Sequence, residues 1–175
     1  DKVDSLAVIG SGRVGYYVAY YAAAVCKVKR IYLVDVLAGR AANAAAQLRS
    51  ELGESEIIAT TVDALAAIDV LVLATTSLSA VCAPPAWGAQ LVISLGADSD
   101  SQSELDPVWS KRAEIFIDTI DTLRFGDLAV WLKQALIVPD DVSDLLAVVG
   151  RNRDNAKSQK PRVFVSTGSA LLDNL

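Results

Sequence analysis

Short aliphatic runs alternate with longer, alanine-rich stretches along almost the whole chain. That is the pattern of a sheet buried on both faces, with strands joined by helices. Strands are expected at Leu6–Ile9, Ile31–Val34, Ile57–Thr60, Val70–Ala74, Leu91–Leu95, Ile115–Ile117 and Arg162–Val165. Helices are expected at Val14–Cys26, Arg40–Leu52, Ala64–Ala67, Glu104–Ser110, Gly126–Gln134 and Val142–Val148, with another starting after Thr167. Asp63 and Asp141 stand just before helical segments and read as N-caps. Pro84-Pro85 breaks the chain before the Leu91 strand, and Gly88-Ala89 allows a turn into it. The alternation predicts an α/β fold, a doubly wound and mostly parallel Rossmann sheet with helices on both faces.

Composition narrows what such a fold does. A length of 175 residues suits one domain over 1–175. An apolar content of 53% and a mean hydropathy of +0.37 agree with a sheet covered on both sides. Arg151–Pro161 is the polar exception and is expected to be a mobile surface loop. The longest nearly uncharged run, Val14–Cys26, falls short of the roughly 20 residues that a membrane helix needs, so no span is expected. The opening Asp1-Lys2-Val3-Asp4 has no charged-then-apolar leader, and the absence of methionine suggests a piece of a longer chain. Net charge is -5 and no basic block exceeds Lys27–Arg30, which argues against nucleic acid as a partner. Cys26 and Cys82 lack CxxC spacing and read as small buried hydrophobes in a reducing cytoplasm. With no histidine, Ser-His-Asp and Cys-His catalysis and the usual zinc sites are excluded. Acid-base work falls to Asp, Glu, Lys, Tyr or Cys.

The strongest local signal is Gly10-Ser11-Gly12-Arg13-Val14-Gly15, between an apolar strand and a long apolar helix. Gly10 allows the tight turn, Gly12 lets a pyrophosphate approach the backbone, and Gly15 lets the helix pack on the strand. The helix start adds free N–H groups and partial positive charge. A turn that merely joins strand to helix is the plainer alternative. The second strand ends in Asp35, 25 residues after Gly10, close to the spacing of about 20 at which an acidic residue receives the ribose hydroxyls. A carboxylate there repels a 2'-phosphate and no arginine follows before Arg40, so NAD is expected over NADP, which stays possible. A solvated Asp35 would leave that choice open. Adenosylmethionine domains share a glycine-rich first turn and an acidic second strand end, but with looser glycine spacing.

Ligands of open α/β sheets bind beyond the carboxyl ends of the strands. The loop Ala74-Thr75-Thr76-Ser77 is small and hydroxylic, suited to a ribose and nicotinamide or equally to an ordinary polar turn. In Leu95-Gly96-Ala97-Asp98, Gly96 permits close approach and Asp98 is the leading acid-base candidate, against a role as helix cap or solvated loop acid beside Asp100, Glu104 and Asp106. Tyr16, Tyr17, Tyr20 and Tyr21 occupy two adjacent angles of the first helix, with one pair expected to face inward and one outward.

Leu6–Gly15, Asp35, Ala74-Thr75-Thr76-Ser77, Leu95-Gly96-Ala97-Asp98, Glu104-Leu105-Asp106, Arg112-Ala113, Gly126-Asp127-Leu128 and Val163-Phe164-Val165-Ser166-Thr167-Gly168 together resemble the ornithine cyclodeaminase and mu-crystallin family over almost all of the chain. The resemblance covers only that family's nucleotide-binding domain. It implies an NAD(H)- or NADP(H)-dependent oxidoreductase or lyase acting on an amino acid such as ornithine, or on a cyclic ketimine. In the cyclodeaminases hydride leaves the α-carbon, the side-chain amine attacks the imine, ammonia departs and hydride returns. Asp98 matches the family's catalytic aspartate, while Gly10, Ser11, Gly12, Arg13, Val14, Gly15, Asp35, Thr75, Thr76, Ser77 and Gly96 match the cofactor-binding segments. The family commonly continues its aspartate with Pro-Gly-Lys; Ser99-Asp100-Ser101-Gln102 stands here. Its substrate-gripping residues and dimer interface lie in an N-terminal domain that this chain lacks, so the domain alone is expected to hold cofactor and turn over little. A non-catalytic, mu-crystallin-like or sensor module is the alternative, and an adenosylmethionine-dependent methyltransferase a more distant one.

Overall fold

The computed structural model describes residues 2–53, 55–96, 99, 101–145, 148 and 159–168. They fall into two compact units, Asp1–Thr75 with Pro85–Ala89, and Thr76–Pro84 with Gln90–Leu175.

In the first unit, strands β1 (Ser5–Ile9), β2 (Arg30–Val34), β3 (Glu56–Thr60) and β4 (Val70–Leu73) alternate with helices α1 (Arg13–Ala24) and α2 (Ala38–Glu51). The strand order is β3-β2-β1-β4 and all three ladders are parallel, with Ala7 facing Tyr32 on one side and Leu71 on the other. The chain thus crosses over through a helix twice and then reverses direction across the sheet at β1, which is the Rossmann arrangement. Ala7, Val8, Ile31, Leu33 and Leu71 are fully covered. Helix α2 packs on β2 and β3 through Ala41, Ala44, Ala45 and Leu48, one stripe at helical spacing.

The second unit has strands β5 (Leu78–Cys82), β6 (Leu91–Ser94), β7 (Ser103–Leu105), β8 (Glu114–Ile117), β9 (Val142–Asp144) and β10 (Arg162–Val165), with helices α3 (Trp109–Arg112) and α4 (Gly126–Lys133). Four of the strands run in the order β6-β10-β8-β9, parallel throughout, while β5 and β7 form their own parallel pair. Trp109, Trp131, Leu105, Leu128 and Val163 make its core. No helix among the described residues is long and apolar enough to cross a membrane.

All seven expected strands form, but three more, β5, β7 and β9, were hidden by short or polar sequence. The helix expected at Ala64–Ala67 is only a 3-10 turn at Val62–Ala64: four residues cannot offset helix nucleation, and Leu65 and Ile68 are buried from an extended run. Asp63 lies inside that turn and caps nothing. In place of a helix at Glu104–Ser110, residues 103–105 pair with β5, and Pro107 holds the preceding Asp106 out of helical geometry, so α3 starts at Trp109. At Val142–Val148 the first three residues extend along β8; Asp141 instead caps the preceding 3-10 turn, its Oδ2 accepting the Val138 N–H at 2.8 Å. Residues 151–158, and those after Gly168 where a last helix was expected, lie outside the described residues. Cys26 is exposed, contrary to expectation, because α1 ends before it, while Cys82 is buried. Of the tyrosines, Tyr17 and Tyr21 face outward at 50% and 57% exposure, whereas Tyr16 and Tyr20 are half-buried and alanines take the core positions of α1.

Candidate functional site

The glycine turn is built from its neighbours. Gly10 donates to the Val34 carbonyl at 2.8 Å, and Ala74 donates to the Ile9 carbonyl at 2.9 Å. Ser11, buried, adds an Oγ bond to Val34 at 3.2 Å. Gly10 takes φ +98°, and a Cβ there would run into the Ala74 carbonyl; a Cβ on Gly15 would strike the Gly10 carbonyl oxygen. Both glycines are therefore demanded by the fold itself. Gly12 differs. Its φ of -74° suits any residue, and a Cβ would meet nothing within 4 Å. The backbone at Gly12 borders open space at the start of α1, where no side chain caps the helix and no acidic residue occupies the first turn. Arg13 and Val14 are exposed at the start of α1, where the first amides of a helix have no partner within it.

Asp35 closes the other side. Its Oδ2 accepts the Ser11 N–H and its Oδ1 the Leu37 N–H, both at 2.9 Å, and Arg40 stands 3.7 Å from Oδ2. The sequence separation of 24 residues between Ser11 and Asp35 is thus spanned by a direct bond. An open cleft of about 510 Å³ is lined by Ser11, Gly12, Arg13, Tyr16, Leu37, Arg40, Asn43, Ala44 and Gln47. Partial burial first, then the hydrogen bond from its hydroxyl to Glu51 at 3.0 Å, push the Tyr16 phenol up, so it stays a neutral donor.

Of the hydroxylic loop, Thr75 closes the first unit, half-buried, its Cγ2 helping Ala74 to fill the space a side chain at Gly10 would need. Thr76 is exposed and Ser77 half-buried in the second unit, where the Ser77 carbonyl accepts the Ser103 N–H at 2.9 Å. Gly96 donates its N–H to Glu104 Oε2 at 2.9 Å. Asp98 lies outside the described residues.

Sequence reasoning missed the network of buried Glu104 and Asp127 and half-buried Asp118 in the second unit. Glu104, fully covered, also accepts from Ser94 Oγ at 2.7 Å. Asp127 accepts the Glu104 and Leu105 N–H groups at 2.9 and 3.0 Å and Ser103 Oγ at 2.6 Å. Asp118 accepts from Ser166 Oγ at 2.6 Å and from Thr122 Oγ1. Each carboxylate pins a strand end or loop through neutral donors. Reading Glu104 as one of several loop acids concealed this, because burial at a β-pair edge leaves no periodic trace in three residues. The cleft residues of α2 did carry a signal: Arg40, Asn43, Ala44 and Gln47 repeat at i, i+3, i+4 and i+7.

Comparison with known proteins gives three findings. The profile of the ornithine cyclodeaminase/mu-crystallin family matches residues 2–174. No curated protein matches. Among solved structures, the iminosuccinate reductase of Paracoccus denitrificans in complex with NAD+ is similar at 26% identity and TM-score 0.81, over 98% of this chain and 53% of that one. The Thermococcus litoralis Δ1-pyrroline-2-carboxylate reductase in complex with NADH and L-proline shares 20% identity at TM-score 0.80, over 95% and 54%. A probable ornithine cyclodeaminase from Bordetella pertussis Tohama I shares 22% at TM-score 0.82, over 98% and 56%. The last two likenesses speak for the fold alone. This chain spans about half the length of these structures.

Proposed function

Because the chain belongs to the ornithine cyclodeaminase/mu-crystallin family, we propose that it is the NAD-binding domain of an enzyme moving hydride at the α-carbon of an amino acid or of the matching cyclic ketimine. The observation that carries this reading is Gly12, whose missing side chain serves no internal packing and leaves room for something outside the chain. A pyrophosphate fits that space: it is anionic, and the first amides of α1 supply N–H groups with partial positive charge. Asp35 accepts a ribose hydroxyl on lone pairs not taken by Ser11 and Leu37. The iminosuccinate reductase of similar fold with NAD+ bound supports the choice of dinucleotide.

Bound NAD supplies the hydride acceptor and donor; the rest falls to side chains. Thr75, Thr76, Ser77 and Gly96 are assigned to the nicotinamide half, with Glu104 holding the Gly96 amide. Asp98 is assigned the proton transfer at the substrate nitrogen, by its place after Gly96 and in the absence of any histidine. Residues 1–175 act as the cofactor domain, with the carboxylate-gripping groups and a dimer interface supplied by a region not in this chain. The setting we assign is the cytoplasm, in keeping with two free cysteines.

Titration with NADH tests the core of the reading. Binding by the parent chain that is lost in Gly12→Ala at an undiminished melting temperature is the expected result; stabilisation by adenosylmethionine and not NADH sinks it. Activity is tested on a chain carrying the partner region, by ammonia release from ornithine and reduction of cyclic ketimines. Silence in both assays, with NADH binding intact, leaves a non-catalytic dinucleotide binder.

A further inference from the structure

Ser166-Thr167-Gly168 leaves β10 at its carboxyl end, the edge at which ligands of parallel sheets bind. Strand β10 lies between β6 and β8, and the Ser166 N–H bonds the Ser94 carbonyl at 3.0 Å, so the turn stands beside the strand end that precedes Gly96. At the neighbouring end of β8, Asp118 gathers neutral donors alone. Its Oδ1 accepts the Thr119 N–H at 2.7 Å and the Thr122 hydroxyl, and its Oδ2 accepts the Ser166 hydroxyl at 2.6 Å.

The direction of each bond follows from the one proton a hydroxyl carries. Ser166 gives its proton to Asp118, and its Oγ accepts the Gly168 N–H at 3.2 Å, which leaves one lone pair. Thr122, buried, gives its own proton to Asp118, so in the 3.2 Å contact between the two threonines Thr167 is the donor. Ser166 and Thr167 are half-buried, and both turn their protons inward. Toward the sheet edge they offer acceptors only.

We propose that Asp118 is a positioning residue: it fixes the Ser166 hydroxyl as a hydrogen-bond acceptor at the carboxyl end of β10, where it receives an N–H of a bound ligand. That N–H belongs either to the nicotinamide carboxamide or to the amine of an amino acid. The proposal rests on the reading of the chain as a cofactor domain and adds to it a residue that acts through another. Asp118→Asn tests the direction itself. The Thr119 N–H is a fixed donor, so the asparagine keeps its carbonyl oxygen in the Oδ1 place and presents its NH2 to Ser166. The hydroxyl then accepts and turns its proton outward, which exchanges an acceptor for a donor at unchanged size.

The experiment is calorimetric titration of the full chain, as parent, Asp118→Asn and Ser166→Ala, with two pairs of ligands. The first pair is NADH and its reduced 3-acetylpyridine analogue, which carries a methyl group where the carboxamide has NH2. The second, with NADH saturating, is L-ornithine and valerate, which lacks both amines. In the pair that contains the N–H Ser166 receives, preference for the N–H ligand is expected to fall about tenfold in Ser166→Ala and at least as far in Asp118→Asn. A fall in the first pair assigns the N–H to the cofactor, and one in the second assigns it to the substrate. A merely structural Asp118 weakens both members of a pair alike. An unchanged preference in both pairs, in Ser166→Ala alone or in both variants, overturns the proposal while NADH binding and the cofactor-domain reading stand. If NADH does not bind the parent chain, that reading falls and the proposal with it.

Discussion

At the scale of single residues, three glycines in one motif have separate jobs. Gly10 and Gly15 are fixed by contact with Ala74 and with each other's backbone, so Gly15→Ala forces the helix off the strand. Overpacking of this kind typically costs about 1–3 kcal/mol or more, and a lower urea midpoint is the expected readout. Gly12→Ala meets open space and is expected to hold or slightly raise stability, because alanine narrows the unfolded ensemble. Its cost falls on NADH affinity alone. The two cysteines make a similar contrast. Burial pushes the Cys82 thiol up to about 12, and its backbone carbonyl accepts the Trp109 indole N–H at 3.1 Å, whereas Cys26 is exposed. A thiolate-detecting reagent at mildly alkaline pH should therefore find one thiol in the folded chain and two after unfolding. Two reactive thiols in the native protein would show that Cys82 is not sealed in the second unit.

At the scale of elements, strand starts and loop ends are tied by carboxylates. Asp69, just before β4, accepts the Asp4 and Ser5 N–H groups at 2.9 Å and Ser5 Oγ at 3.0 Å, joining the entry of β1 to that of β4. The backbone N–H of Ser5, with that of Asp4 behind it, holds the Asp69 carboxyl below its usual range. A folded pKa below the unfolded one adds stability above the unfolded value, near 3.9, and that stability fades as pH falls through the folded value. Asp69→Ala should therefore unfold at lower urea than the parent at pH 7, with the two midpoints converging under acid. A constant gap down to pH 2 would assign the effect to packing. In the second unit Glu104→Ala strands the buried Ser94 hydroxyl and Gly96 amide, at roughly 1–3 kcal/mol for each unpaired group, while Glu104→Gln keeps an acceptor in place and loses less. The strands were legible because runs such as Val70–Leu73 are wholly apolar, as two-faced burial requires. The three missed strands lack that mark: Ser103-Glu104-Leu105 owes its place to a carboxylate network and to pairing with β5, which arise only once distant residues meet. The site divides in the same way. Gly10, Gly12, Gly15 and Asp35 announce themselves by spacing, but the Arg40–Asp35 pair depends on how far α2 swings its first turn toward the strand end.

For the whole molecule, the consequence is that anchoring and chemistry are separable. The glycine turn, Asp35 and the cleft all belong to residues of the first unit, whereas Thr76, Ser77, Gly96 and the buried acids belong to the second. A ligand reduced to the adenosine and diphosphate end should then keep much of its hold. We expect 5'-ADP at about a hundred times its Kd to stabilise the chain by roughly 2.7 kcal/mol through linkage alone. For a chain of this size that is a rise in melting temperature of roughly 5–10 °C. Gly12→Ala should abolish the rise, and nicotinamide mononucleotide, which lacks the adenosine, should give little at the same concentration. A rise with the mononucleotide and none with 5'-ADP would place the anchor outside the glycine turn and remove the physical basis for assigning the pyrophosphate to α1. The comparison needs no turnover, so it judges the binding half on its own terms whatever residues complete the reaction.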